Sequence, residues 1–170
     1  EPILTQNARP DHRPFLHPIV APDGTGVVTQ YSPGHPPHQT GLYWGFTRVN
    51  GTGADEYTMR KWFYRRDKPL EIQEQIGRDF FHNPGGDFWR LQSATVLAAE
   101  GEEVKWQTVY DMLDAGGDTI MVETQTWTMR QDSKGGGRYV LDLEWNGEAE
   151  TDVTINAMQY GGMFIRMPWH

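Results

Sequence analysis

The chain has 170 residues, which is enough for one domain with a single core. It carries 15 basic and 23 acidic side chains, and the resulting net charge of −8 argues against nucleic acid or an anionic membrane surface as the main partner. The absence of cysteine excludes disulfides, thiolate metal sites and cysteine nucleophiles. No apolar run approaches the ~20 residues that a membrane-spanning helix needs.

Prolines punctuate the first quarter of the chain, with eight of them between Pro2 and Pro37. This spacing excludes long helices and predicts short extended segments over residues 15–21 and 27–31. Further on, the residue patterns predict strands over 42–49 and 57–64. The segment 70–81 is ambiguous, because its isoleucines are spaced as on a helix while its aromatic residues favour a strand, and a strand is the favoured alternative.

The second half of the chain reads as a series of strands separated by short turns rich in Gly, Asn and Asp. The predicted strands cover residues 89–98, 103–113, 118–130, 137–145, 151–158 and 162–169. Successive strands with short connections form an antiparallel meander. The sequence therefore predicts a single all-β domain, an antiparallel β-sandwich of nine or more strands with under about 15 % helix.

Glu123 is the first candidate catalytic residue. Side chains alternate along a strand, so Glu123 shares its face with Met121, Trp127 and Met129. A carboxylate in such surroundings either finds a hydrogen-bonded or charged partner or has its pKa raised by desolvation. A raised pKa suits a general acid or base near neutral pH. The alternative is a structural pair with an arginine.

Two histidines in a proline-stiffened loop are the densest chemical cluster. His35 and His38 stand three residues apart, so both imidazoles can point at one ligand with little loss of conformational entropy. They are candidate catalytic residues that bind hydroxyls or transfer protons. A metal site is a weaker alternative, because no third ligand is apparent nearby and the sequence identifies no cofactor.

Aromatic and basic residues complete the predicted site. Tyr43 and Trp44 follow the histidine loop and are candidates to stack on a sugar ring. Arg166 follows two glycines on an aromatic strand, where it is either a counter-ion for a carboxylate such as Glu123 or a ligand for an anion or hydroxyl. The sequence predicts that these side chains converge with His35, His38 and Glu123 on one concave face. By contrast, the alternating pattern of 137–145 favours a solvated outer face for Asp142 and Glu144.

Five short motifs resemble, in order and approximate spacing, a bacterial family of unknown function, DUF6807, whose members are often labelled "methane oxygenase PmoA". They are RPFLHP at 13–18, PDG at 22–24, HPPHQTGL at 35–42, VNG at 49–51 and GGMFIR at 161–166. The methane label does not suit this chain, since the membrane subunit that it evokes needs several spanning helices.

The resemblance implies a β-sandwich similar to the galactose-mutarotase-like supersandwich. This chain departs from the family pattern in the histidine loop, which has one extra residue and lacks an Arg, and residues 55–86 match poorly, which leaves His82 without a family role. Family members continue beyond the GGMFIR strand. We therefore expect the front part of such a domain, with residues 163–167 and Trp169 forming an unpaired apolar edge prone to homo-oligomerisation.

The predicted function is carbohydrate processing by acid–base chemistry, with a small molecule or glycan as ligand. The resemblance also points to a periplasmic or secreted protein. The alternative is a non-catalytic sugar-binding or structural sandwich of a secreted or surface protein, and a third hypothesis is a metal-dependent oxygenase that uses the two histidines and a carboxylate.

Overall fold

The computed structural model describes residues 3–31, 38–132 and 137–168. In chain order its elements are β1 (Leu4–Asn7), β2 (Phe15–Ile19), β3 (Leu42–Gly45), α1 (Glu56–Trp62), α2 (Leu70–Ile76), β4 (Trp89–Ala98), β5 (Glu103–Leu113), β6 (Thr119–Gln131), β7 (Tyr139–Ala149) and β8 (Gly162–Ile165). Two antiparallel four-stranded sheets form the sandwich, with about 9 % helix. The predicted antiparallel all-β sandwich is confirmed, with eight strands among the described residues rather than the predicted nine or more.

The two sheets differ in how the chain builds them. Sheet 2 is the predicted meander, in the order β4-β5-β6-β7, and its hairpin connections are short. Sheet 1 has the order β1-β2-β3-β8 and joins strands from both ends of the chain. Strand β8 pairs with β3, in a register that runs from Leu42↔Ile165 to Gly45↔Gly162. The histidine loop therefore enters a sheet that the C-terminal strand completes.

The core lies between the sheets and contains mainly aromatic and aliphatic side chains. Leu16 and Leu42 of sheet 1 pack with Trp106 and Trp127 of sheet 2. Trp44 also faces this layer, because its ring lies 5.9 Å from the ring of Trp145. The preceding residue on the same strand, Tyr43, packs instead against a separate group that includes Phe15 and Phe81.

Two segments that the sequence assigns to strands are helices instead. Residues 57–64 lie mostly in α1, because the Asp55 carboxylate accepts a hydrogen bond from the Thr58 N–H at 2.7 Å and caps the first turn. The segment 70–81 begins with α2, which ends at Gly77 in a positive-φ conformation (φ 85°) that only glycine adopts readily. Here the helical spacing of Ile72 and Ile76 predominates over the β propensity of the aromatic residues.

The predicted strand over 151–158 is also wrong. The segment makes an isolated bridge between Val49 and Ile155, with two backbone hydrogen bonds beside it and further hydrogen bonds that involve the side chains of Arg48, Asn50 and Asn156. Ile155 is 46 % exposed, while Val153 of the same segment packs against the core group that includes Val49 and Tyr110. The pairing does not extend beyond this single bridge, and an isolated pairing of this length is only marginally stable as a strand.

The apolar edge predicted near the end of the chain is present over the described residues. Strand β8 pairs with β3 on one side, and none of the described strands pairs with its other side. Met163, Ile165 and Met167 are 55 %, 46 % and 56 % exposed. Trp169, which belongs to the same prediction, lies outside the described residues.

Candidate functional site

A cavity of about 590 Å³ is lined by the segment between the two helices, by α2 and the loop that follows it, and by His38. We call it the histidine cavity, because His38 and His82 both line it. Its volume is within the range of small-molecule sites. The side chains on its wall that carry polar or charged chemistry are His38, Asn50, Tyr64, Arg65, Arg66, Lys68, Gln73, Glu74, Arg78, Asp79, His82, Asn83 and Asp87.

His82 is held by Asp79, three residues earlier in the turn that follows α2. The Asp79 carboxylate accepts hydrogen bonds from the backbone N–H groups of Phe81 at 3.1 Å and His82 at 2.9 Å, which fixes the turn. The imidazole Nδ1 of His82 lies 2.9 Å from the other carboxylate oxygen. Because a carboxylate accepts but does not donate, the proton is on Nδ1. Nε2 is then the basic nitrogen, and no described residue forms a hydrogen bond with it.

His38 packs directly against His82 on the cavity wall. The two imidazole centroids are 4.7 Å apart, in an edge-to-face arrangement. Aromatic rings surround the pair, with Phe63 at 5.4 Å and Tyr64 at 5.6 Å from the His82 ring. The site thus combines two imidazole rings with adjacent aromatic rings.

Arg13 connects the two histidines from beneath the cavity and is completely buried. Its guanidinium donates to the His38 carbonyl at 2.8 Å and to the carbonyl of Phe81, the residue before His82. It also lies 3.4 Å from the centroid of the Tyr43 ring. Desolvation lowers the pKa of Arg13 to about 10, with the Tyr43 hydroxyl, Asp79 and Glu123 acting in the opposite direction. Arg13 therefore fixes the backbone on both sides of the imidazole pair.

Glu123 lies in the core between the sheets and is 1 % exposed. Its carboxylate accepts hydrogen bonds from Trp145 Nε1 at 2.7 Å and from Gln125 Nε2 at 2.9 Å. Burial raises its pKa to about 7, although these hydrogen bonds and the charge of Arg13 act in the opposite direction. Glu123 does not line the histidine cavity. Its role as a general acid or base stays a prediction.

Arg166 does not pair with Glu123. Its guanidinium donates to the side-chain oxygens of Gln39 at 3.0 Å and Gln30 at 3.3 Å. The ion pairs of the described residues do not include Arg166. The structure therefore does not show Arg166 as a counter-ion for a described carboxylate. The alternative role of Arg166, binding an anion or a hydroxyl, stays a prediction.

Four of the predicted site residues thus form two groups, and Arg166 belongs to neither of them. His38 and Tyr43 lie together through Arg13, on the side of sheet 1 that holds Phe81. Glu123 and Trp44 lie together through Trp145, between the sheets. Consecutive residues of a strand point to opposite faces, which is why Tyr43 and Trp44 fall into different groups. His35 lies outside the described residues, so the prediction that all of them converge on one ligand remains a prediction.

Sequence reasoning missed Asp79, His82 and Arg13. The Asp-x-x-His spacing was the available signal for the first two, because an Asp that caps a turn can reach the side chain three residues later. Arg13 stands in the RPFLHP motif, but nothing in the local pattern shows that its guanidinium is buried. Asp142 and Glu144, by contrast, are on the exposed face of β7, as the alternation predicts.

Neither a metal centre nor a membrane span is apparent in the part of the chain that the structure describes. No three His, Asp or Glu side chains of residues 3–31, 38–132 and 137–168 are grouped as metal ligands. No helix among these residues is long and apolar enough to cross a bilayer.

Comparison with known proteins gives one match. No curated protein and no solved structure matches the chain. Residues 4–170 match the model of a family described as a family of unknown function. Because the match covers nearly the whole chain, the protein belongs to this family, DUF6807.

Proposed function

We propose that this protein processes sugars or glycosides by acid–base chemistry in the histidine cavity. The observation that carries the proposal is the Asp79–His82 hydrogen bond of 2.9 Å, which orients an imidazole on the wall of a cavity beside a second imidazole. A carboxylate that holds Nδ1–H leaves Nε2 free to take up and return a proton, which is the arrangement that acid–base catalysis uses.

The roles of the two histidines follow from this geometry. His82 acts as the proton-transferring group through Nε2, and Asp79 positions it and stabilises the imidazolium that forms. His38 lies beside His82 and binds a hydroxyl or serves as the partner acid. Both rings are kept in place by Arg13, since its guanidinium fixes the carbonyls of His38 and Phe81.

The composition of the wall supports a carbohydrate as the ligand. Sugar rings combine apolar C–H faces with many hydroxyls, and a suitable site has aromatic rings beside amide, hydroxyl and charged groups. The histidine cavity has Phe63 and Tyr64 beside Asn50, Gln73 and Asn83. We extend the proposal to a periplasmic or secreted location, which fractionation of host cells tests.

Turnover by matched variants tests the proposal. Wild-type protein is incubated with a panel of monosaccharides, oligosaccharides and glycosides, and products are followed by NMR. We expect His82→Gln to lower kcat by about 10²-fold or more, in the range of lost general acid–base catalysis. Asp79→Asn should lower kcat with little change in KM, because it disturbs the tautomer rather than the contacts with the sugar. Asp23→Asn, in the exposed 22–24 turn, is the control.

Two outcomes contradict the enzyme proposal. Turnover that His82→Gln leaves unchanged places the chemistry elsewhere. Saturable sugar binding without turnover of any compound in the panel supports the non-catalytic sugar-binding alternative instead.

A further inference from the structure

Four cationic side chains line the histidine cavity of a chain whose net charge is −8. Arg65, Arg66 and Lys68 lie on the segment between the two helices, and Arg78 follows α2. The same segment begins beside the imidazole pair, because the Tyr64 ring is 5.6 Å from the His82 ring. The cations are therefore placed close to the proposed reactive group.

Two of these cations are already engaged by carboxylates. Arg65 forms an ion pair with Asp67 at 2.6 Å, and Arg78 lies 3.7 Å from Asp87 while donating to the backbone carbonyls of Leu113 and Asp87. By contrast, the ion pairs of the described residues include neither Arg66 nor Lys68. The Lys68 ammonium donates one hydrogen bond, to the backbone carbonyl of Arg65, and no described carboxylate forms an ion pair with it.

None of the three carboxylates on the cavity wall forms an ion pair with Arg66 or Lys68. Asp79 is occupied by His82 and by two backbone N–H groups, and Asp87 by Arg78. Glu74 is the remaining carboxylate on the wall, and it forms no ion pair with a described residue. Lys68 is half-buried, and desolvation lowers its pKa although Asp79 and Asp67 raise it. A cation in this position gains from an anionic ligand that replaces the lost water.

We infer that the ligand of the histidine cavity is an anionic carbohydrate, whose carboxylate, sulfate or phosphate group is bound by Lys68 and Arg66 while His38 and His82 contact the ring. The inference rests on the proposed function and names its substrate class. An ammonium and a guanidinium together recognise such groups, the first as a compact charge and the second through a planar pair of donors.

Calorimetric titration with charged and neutral sugars tests this inference. The probes are glucose, galactose, glucuronate, galacturonate, glucose 6-phosphate and inorganic phosphate, each at low and high salt. We expect at least one charged sugar to bind about 10-fold or more tightly than its neutral counterpart, with the preference reduced at high salt. Uronates and the sugar phosphate are separate arms, which distinguish a carboxylate from a phosphate ligand.

A pair of lysine variants assigns the effect to the cavity. Lys68→Met should abolish the preference for the charged sugar and leave the weaker binding of the neutral sugar. Lys61→Met removes the same charge from the exposed face of α1, where the lysine contacts Tyr57 and Trp62 rather than the cavity, and should change nothing.

The outcomes separate the two claims. Equal binding or turnover of neutral and charged sugars overturns the inference and leaves the proposed function standing. A preference that Lys68→Met does not affect also overturns it. Binding of inorganic phosphate that depends on Lys68, without binding of any sugar in the panel, overturns the carbohydrate and leaves only an anion site. If no probe binds, both claims fail.

Discussion

Glu123 is a carboxylate surrounded by aromatic side chains, with tryptophan and glutamine N–H groups as its donors. Its pKa of about 7 lies above its usual value of 4.5, so the folded protein holds a proton here that the unfolded chain releases. The contribution of protonated Glu123 to the free energy of unfolding is therefore complete below about pH 4.5, and it declines as the pH rises to about 7. The full decline is of the order of 3 kcal/mol, since one pKa unit corresponds to ~1.4 kcal/mol.

Glu123→Gln should remove this pH dependence, because glutamine is neutral throughout. Denaturant unfolding at intervals from pH 4.5 to 8 is the measurement, and the variant should gain stability relative to wild type as the pH rises. Glu144→Gln, on the exposed face of β7, is the matched control and should follow the wild-type curve. Parallel curves for wild type and Glu123→Gln contradict the assignment.

Arg13 is a buried cation whose partners are two carbonyls and an aromatic ring rather than a carboxylate. Arg13→Met should cost about 2–4 kcal/mol of unfolding free energy, because it leaves buried carbonyls without donors and breaks the link between the segments that carry His38 and His82. Urea unfolding measures the loss. Arg9→Met removes an exposed arginine four residues away and should cost little. A loss for Arg13→Met no larger than for Arg9→Met contradicts the positioning role.

At the scale of elements, the connection from the histidine loop into β3 depends on Gly41. Its φ is 59°, and a Cβ at this position would lie 2.1 Å from the backbone oxygen of Leu16 on β2. The glycine thus permits the close approach of the two strands. Gly117 has a similar positive φ of 89°, but a Cβ at that position would have no other atom within 4 Å.

These two glycines separate conformational strain from steric exclusion. Gly117→Ala should cost about 1 kcal/mol, the penalty for a side chain in left-handed backbone. Gly41→Ala should cost ~1–3 kcal/mol more, because the β2 backbone has to move to accommodate the methyl group. Thermal unfolding of both variants measures the difference. Equal losses would mean that the strands tolerate the extra group.

Element by element, prediction from the sequence succeeded where local pattern and tertiary environment agree. The predicted strands over 89–98 and 103–113 coincide with β4 and β5, since alternation and turn residues favour the same structure there. The strand predictions for segments 57–64 and 70–81 were wrong, because capping by Asp55 and the helix stop at Gly77 outweigh the β propensity of these residues. The same region holds Asp79 and His82, so the error in secondary structure also concealed the centre of the site.

At the scale of the whole molecule, the sandwich has an exposed apolar edge at β8. Alternate residues Met163 and Ile165 share a face with Leu42 and Trp44 in the paired strand, yet remain exposed. Long-range pairing of this kind, between strands from the first and last thirds of the chain, could not be deduced from local periodicity. The apolar edge itself could be deduced from the sequence, because its apolar residues recur at every second position.

An exposed apolar edge promotes self-association through strand pairing. Sedimentation should show concentration-dependent association of the wild-type chain that Ile165→Lys reduces, because a lysine on an edge strand opposes edge-to-edge pairing. Val104→Lys places the same charge at an exposed position on the inner strand β5 and should not have this effect. A wild-type chain that stays monomeric at every concentration contradicts the prediction.

The central claim is that the histidine cavity is the ligand site, and imidazole nitrogen NMR of histidine-labelled protein tests it most directly. Titration with the saccharide that binds most tightly should shift the ring signals of His38 and His82. His12 and His17 are internal controls in the same spectrum, since His12 contacts the carbonyl of Arg13 and His17 contacts Thr29, and neither lines the cavity. The account predicts saturable shifts at His82 and His38 with His12 and His17 unchanged. Saturable binding that leaves His38 and His82 unshifted would contradict it.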